Sequence, residues 1–204
     1  MREGVATPEV ALEAARAAQS HIGLARALAR DPQMRERRRA IITAPASVRS
    51  VGEAVMAADR LLETAKAQAD AQVSERNARE KAELMRQLGM DEGESATKAS
   101  RTMIRQLEED QKRRSKRALT DAIDRALIDL LAIYRDVLMV QVGGDGELIN
   151  TDLSDLVHEI AQDSTPRQTL ARVDHIETAR KRLVSNGNPL LVLEDMAISL
   201  RPQA

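Results

Sequence analysis

Chemistry in this sequence has to be sought first among its three histidines, because the chain offers no cysteine. His158-Glu159 opens like the His-Glu-x-x-His helix of metalloproteases, where two imidazoles one helical turn apart hold zinc and the glutamate acts as base. The fifth position here is Gln162, so the second ligand is missing, and His175 and His21 fall in other segments. Ordinary helix-surface or interface histidines are the expected reading. No serine sits in a strand–turn–helix elbow, and no glycine-rich phosphate loop follows a strand. Gly143-Gly144-Asp145-Gly146 leaves a helix rather than opening one, so it reads as a helix stop. Asp145 and Glu147 lack the further oxygen ligands of a calcium loop. No catalytic, cofactor-binding or metal-ligating residue is therefore expected, and no small-molecule substrate.

Two basic clusters remain: Arg35, Arg37, Arg38 and Arg39, then Lys112, Arg113, Arg114, Lys116 and Arg117. Each reads either as a phosphate-contacting patch or as a solvated helix face. Glu108-Glu109-Asp110 precede the second cluster, which makes i, i+4 pairs such as Glu108–Lys112 and Asp110–Arg114 available. Lys plus Arg number 31 against 32 Asp plus Glu, so no general attraction to nucleic acid or membranes is implied.

The elements that carry these residues must be helices packed without aromatic side chains. There is no Phe or Trp and a single Tyr134, which leaves Leu, Ile, Val, Ala and 8 Met to build a core. The same lack removes the stacking platforms used on single-stranded nucleic acid. With no Cys, a cytoplasmic home is the default expectation. No stretch approaches the roughly 18 apolar residues of a membrane span. The most apolar one, from Leu127 to Val142, is interrupted by Asp129, Arg135 and Asp136.

Helix starts are well marked. Thr7-Pro8-Glu9, Asp31-Pro32, Thr165-Pro166 and Asn188-Pro189 each place a capping side chain before a proline at the first helical position. Ser20 is a candidate cap for a short helix through Ile22 to Arg30, and a third is expected to run from Pro32 to roughly Ile42. Ala44-Pro45-Ala46 should then break the chain, which sets off a small three-helix unit. Two long helices follow, the first from Ser47 or Ser50 to Gly89 and the second from near Ser95–Ser100 to Gly143. Their apolar residues concentrate near Val51–Ala69 and Leu119–Val142, and their charged ends meet at the turn around Asp91–Ser95. An antiparallel hairpin about 60 Å long is implied, with a polar, mobile tip. Asn150 or Thr151 should cap Asp152–Gln162, and two further helices close the chain. The fold class is all-α.

The last helix is apolar almost all round. Leu190, Leu193, Ala197 and Leu200 form one stripe, and Leu191, Val192, Met196 and Ile198 cover most of the rest. Such a helix needs neighbours on more than one side, in its own bundle or in another subunit.

The run Asn186-Gly187-Asn188-Pro189-Leu190-Leu191-Val192-Leu193-Glu194 resembles the closing motif of bacterial clamp-loader subunits, an Asn-x-Asn-x-x-Leu-x-Leu-Glu pattern that begins the last collar helix. Ser20 to Ala29 is similar to a lid-domain helix of AAA+ proteins. With the charged hairpin between them, nearly the whole chain resembles the C-terminal lid and collar region of the delta-prime subunits of DNA polymerase III clamp loaders, in their actinobacterial form. That resemblance implies a lid over 1–45, a collar over 46–204 and a projecting arm at about 70–118, with a nucleotide-binding domain upstream. Ala25 falls where such lids place a nucleotide-sensing arginine, with Arg26 one residue on. The implied role is a non-catalytic assembly module without a cofactor of its own. Its partners would be delta and gamma/tau subunits, and DNA would be met only through the complex. Asn186, Asn188, Pro189, Leu191, Leu193, Met196 and Ile198 would be its packing or interface residues, and Arg35, Arg37, Arg38 and Arg39 its candidate phosphate contacts. A helical nucleic-acid-binding protein or a coiled-coil scaffold is the competing reading.

Overall fold

The computed structural model describes residues 6–19, 21–89 and 98–201. Among them every regular element is helical: α1 (Pro8–Ala17), α2 (Ile22–Arg30), α3 (Pro32–Ser47), α4 (Val51–Gln87), α5 (Lys98–Gln141), a 3-10 turn (Thr151–Leu153), α6 (Ser154–Gln162), α7 (Pro166–Val184) and α8 (Pro189–Leu200). No helix among the described residues is long and apolar enough to cross a membrane.

Local chemistry starts most of these helices. Thr7, Asp31, Thr165 and Asn188 all cap as their Thr/Asp/Asn–Pro pairs predict, each accepting from a backbone N–H of the first turn. Thr165 and Gln168 form a reciprocal capping box. Ser50 and Glu53 cap α4 in the same way, since Ser50 Oγ accepts from Glu53 N and Glu53 accepts from Ser50 N. Ser20 lies outside the described residues, and the cap of α2 is His21, whose Nδ1 accepts from Leu24 N at 3.0 Å. The turn expected around Asp91–Ser95 also lies outside the described residues.

Two expectations are corrected. Pro45 does not break α3 at Ala44, because it sits in the last helical turn and the chain leaves the helix only after Ser47. A proline removes one N–H and crowds one carbonyl; placed this near an end, it weakens a single turn. Asn150 makes no capping bond to the helix that follows, and the first three residues of that segment wind as a 3-10 turn. Its side chain is fully buried and bound elsewhere.

Two compact units result. The first comprises residues 1–62 and 124–204. Its core takes Leu127, Leu130, Ile133 and Val137 from α5, Val157 from α6, Ile176 from α7 and Leu193 from α8, all essentially without solvent contact. Within it, α1 to α3 keep a small core of Ala14, Ala17 and Leu28, with Leu24, Ala29 and Met34 packed against it. The second unit, residues 63–123, is an antiparallel pair of helical segments. Ala69 and Val73 pack against Ala118. Further along, Asn77 meets Gln111 and Arg114, and Lys81 meets Glu108. Rising numbers on one helix thus face falling numbers on the other.

Candidate functional site

The turn between α7 and α8 is built from residues that tolerate little change. Asn186 adopts φ 61, in the left-handed region. The Gly187 N–H donates to Arg182 O at 2.8 Å, closing the end of α7. A Cβ added at Gly187 would lie 2.8 Å from that same oxygen and 3.0 Å from Val192, so only glycine fits without a shift of backbone. Asn188 Oδ1 then accepts from Leu190 N at 3.0 Å and Leu191 N at 3.4 Å, and Pro189 fixes the first turn. A cap of this kind is worth about 1 kcal/mol.

With its start fixed, α8 turns Val192, Leu193, Met196 and Leu200 into the core. This corrects the expected stripe: Leu193 and Leu200 belong to it, whereas Leu190 and Ala197 are half-buried and Val192 and Met196 replace them. Of the proposed packing residues, Leu193 and Met196 therefore face inward, Pro189 and Ile198 are half-buried, and Asn186, Asn188 and Leu191 are exposed. Leu191 keeps 63% of its surface in solvent, and Val184, at the end of α7, keeps 79%. Leu170 is exposed as well and lies about four helical turns before Val184, on the same side of α7. Exposed apolar side chains thus stand on either side of the tight turn, next to the exposed Arg182–Asp195 ion pair, while the inner surface of α8 is already covered.

The four arginines of the first basic cluster are engaged within the chain. Arg35 donates to Leu28 O at 2.6 Å and to Ala29 O at 3.2 Å. Arg37 pairs with Asp31 at 3.4 Å, and Arg39 with Asp152 at 3.1 Å. Arg38 goes inward. Its Nε lies 3.0 Å from Asp129 Oδ1 and its Nη2 2.5 Å from Asn150 Oδ1, with only 10% of the side chain exposed. Asn150 in turn donates from its backbone N and its Nδ2 to Asp136 Oδ2, at 2.8 and 2.9 Å. Asp136 also accepts from Ile149 N and from Arg135. Burial holds the Asp129 carboxyl above the ordinary aspartate value, even with Arg38 pulling it down. Arg26 is exposed on α2.

Sequence reasoning missed this network, although one signal for it was present. Asp129 and Asp136 interrupt the most apolar stretch seven residues apart, which places both on one face of α5. Two acids on the face that also carries Leu130, Ile133 and Val137 call for buried partners.

In the hairpin unit, the second basic cluster is also partly paired. Arg114 donates to Asn77 Oδ1 at 2.7 Å and to Glu80 Oε2 at 2.9 Å, and Arg113 bonds Asp110. His21 caps α2, and His158 Nδ1 lies 2.8 Å from the Ser154 carbonyl. Among the described residues, no three His, Asp or Glu side chains are grouped to hold a metal.

The family described as DNA polymerase III, delta subunit, C terminal, matches residues 94–201, which include all of α5 to α8. The delta' subunit of DNA polymerase III from Bacillus subtilis (strain 168) is 36% identical over 72 residues, which is 35% of this chain and 22% of that protein. The matched part is thus about a fifth of that relative's length. No solved structure matches.

Proposed function

The chain belongs to the family of the C-terminal region of the DNA polymerase III delta subunit, and from that premise we propose that it is a non-catalytic assembly module of the replicative clamp loader. In this role it joins delta-prime to the delta and gamma/tau subunits, so that the complex can place the sliding clamp on primed DNA. The chain meets DNA only through that complex.

One observation carries the reading. The α7–α8 corner is closed by backbone hydrogen bonds and a side-chain cap, and Leu191 and Val184 stand exposed beside a turn whose Gly187 leaves no room for a Cβ. Apolar residues held on fixed backbone are what an interface core requires. The premise adds that this corner lies inside the matched region.

The test is co-elution. Mixed with delta and gamma/tau at about micromolar concentration, the full chain should shift to a larger species on a sizing column. Val184→Asp with Leu191→Asp should abolish the shift while circular dichroism and melting temperature stay near those of the unaltered chain, because both positions are exposed. No shift with the unaltered chain sinks the proposal. A shift that survives the double change removes this corner from the interface.

A further inference from the structure

The inward stripe of α7 contains a charge. Thr169, Arg172, Ile176, Ala179 and Leu183 are its buried residues, spaced three and four apart. Arg172 is only 7% exposed. Among the described residues its guanidinium makes no hydrogen bond and meets no carboxylate at ion-pair distance, and its nitrogens keep some contact with solvent. Its one specific contact is the face of Tyr134, with 5.8 Å from guanidinium carbon to ring centroid. Tyr134 does not neutralise it, because burial pushes the hydroxyl up to about 12 and keeps it protonated. Arg38, the other inward-facing arginine described above, is answered by Asp129 and Asn150. A largely buried arginine that makes no ion pair keeps its planar set of donors available to an anion.

The place for that anion is a cleft of about 310 Å³ lined by Arg172 and Tyr134, with Leu200, Ile160 and Pro45 among its apolar walls. Two exposed acids, Glu159 and Asp163, and a second arginine, Arg49, also line it. The volume is at the small end for ligand sites, enough for a side chain rather than a cofactor. The planar fork of an arginine matches a carboxylate with two parallel hydrogen bonds. The two arginines and two acids of the lining balance in charge, so the apolar walls decide, and they suit a carboxylate on an apolar stem better than a bare phosphate. Glu159 and Asp163 would in turn favour basic residues beside it.

We propose that this cleft receives the carboxylate of an acidic side chain from another polypeptide, flanked there by basic residues, with Arg172 as its counter-ion. The recognition chemistry stands whether or not the clamp-loader subunits are the partners.

The chain reports on this cleft directly, since Tyr134 is its only tyrosine and it has no tryptophan. Tyrosine emission and calorimetry of the full chain would follow titration with a blocked Lys-Leu-Glu-Lys peptide, its Gln counterpart, acetate and inorganic phosphate. The Glu peptide should bind at about millimolar or tighter, and the Gln peptide at least about tenfold more weakly. Arg172→Met should weaken the Glu peptide by about thirtyfold or more while leaving the melting temperature equal or higher, because the substitution removes an unpaired buried charge. Equal binding of both peptides, or no binding of the Glu peptide up to about ten millimolar, overturns the proposal. Acetate or phosphate binding as tightly as the Glu peptide overturns the polypeptide source. A lowered melting temperature in the folded Arg172→Met chain would make Arg172 a structural charge and sink the idea. The peptide comparison on the unaltered chain decides even if the variant fails to fold.

Discussion

The helices α4 and α5 each run through both compact units, and they are held differently in each. Between residues 63 and 123 most buried apolar side chains are small, Ala65, Ala69, Val73, Ala118 and Ala122, with Leu119 packed against them and Ile123 the one large exception at the unit's edge. Beyond Val73 the contacts become polar, as Arg114 reaches Asn77 and Glu80, and Lys81 reaches Glu108. Pairs within one helix, Glu75–Arg79, Arg76–Glu80 and Arg105–Glu109, cover much of the outside. In residues 124–141 the same α5 supplies Leu127, Leu130, Ile133 and Val137 to a core that α7 and α8 close. Each buried methylene there contributes about 0.8 kcal/mol, whereas exposed ion pairs contribute little and are screened by salt. A long helix is therefore not one unit of stability, and its parts are as stable as what they face.

The largest effect that would sharpen this contrast lies at the buried network. Arg38→Ala should lower the unfolding free energy by about 3–5 kcal/mol, since Asp129 and Asn150 lose their partner inside the fold. Urea denaturation measures it, and a loss below about 1 kcal/mol would show that the pair is not desolvated. Next come truncations in the two cores. Leu193→Ala should cost about 3–4 kcal/mol, and Val73→Ala no more than about 1.5 kcal/mol; equal losses would break the comparison.

The smallest effect is one of sign with pH. Hydrogen bonds from Arg114 and then Arg76 hold the Glu80 carboxyl below 4.5, so its contribution is present above 4.5 and is lost as pH falls through its folded value. Asp129 is shifted the other way by burial. Its contribution is full below 3.8 and fades as pH rises through its raised value. Acidification below 4.5 should thus reduce amide protection first in residues 63–123, followed by hydrogen exchange. Simultaneous loss in both units would contradict the opposite signs.

Much of the fold was legible because caps are local. Thr7-Pro8, Asp31-Pro32, Thr165-Pro166 and Asn188-Pro189 need no tertiary partner to start a helix, and all four do so. Asn150 has the same local chemistry, but Asp136 and Arg38 claim its side chain, and tertiary bonds override a cap. At the candidate site the Asn188 cap and Pro189 could be read directly. The separation of Leu191, outside, from Leu193 and Met196, inside, could not, because a helix apolar on every side has no period to read. Arg38 was hidden for the opposite reason. In a run of arginines, composition says surface, and only the rotation of α3 sends one of the four inward. Arg172 was hidden among the charges of α7 in the same way.

Gly187 has a reach beyond its own turn. The helix it launches has 12 residues, about 18 Å of rod at 1.5 Å per residue. A side chain at Gly187 would press on the Arg182 carbonyl oxygen and tilt that rod, and a tilt of about ten degrees carries its far end by about 3 Å. Leu200 stands at that end, as a wall of the cleft that Arg172 lines. The smallest residue of the corner is thus the fulcrum of a lever, holding the aim of Leu191 at one end and the width of the cleft at the other.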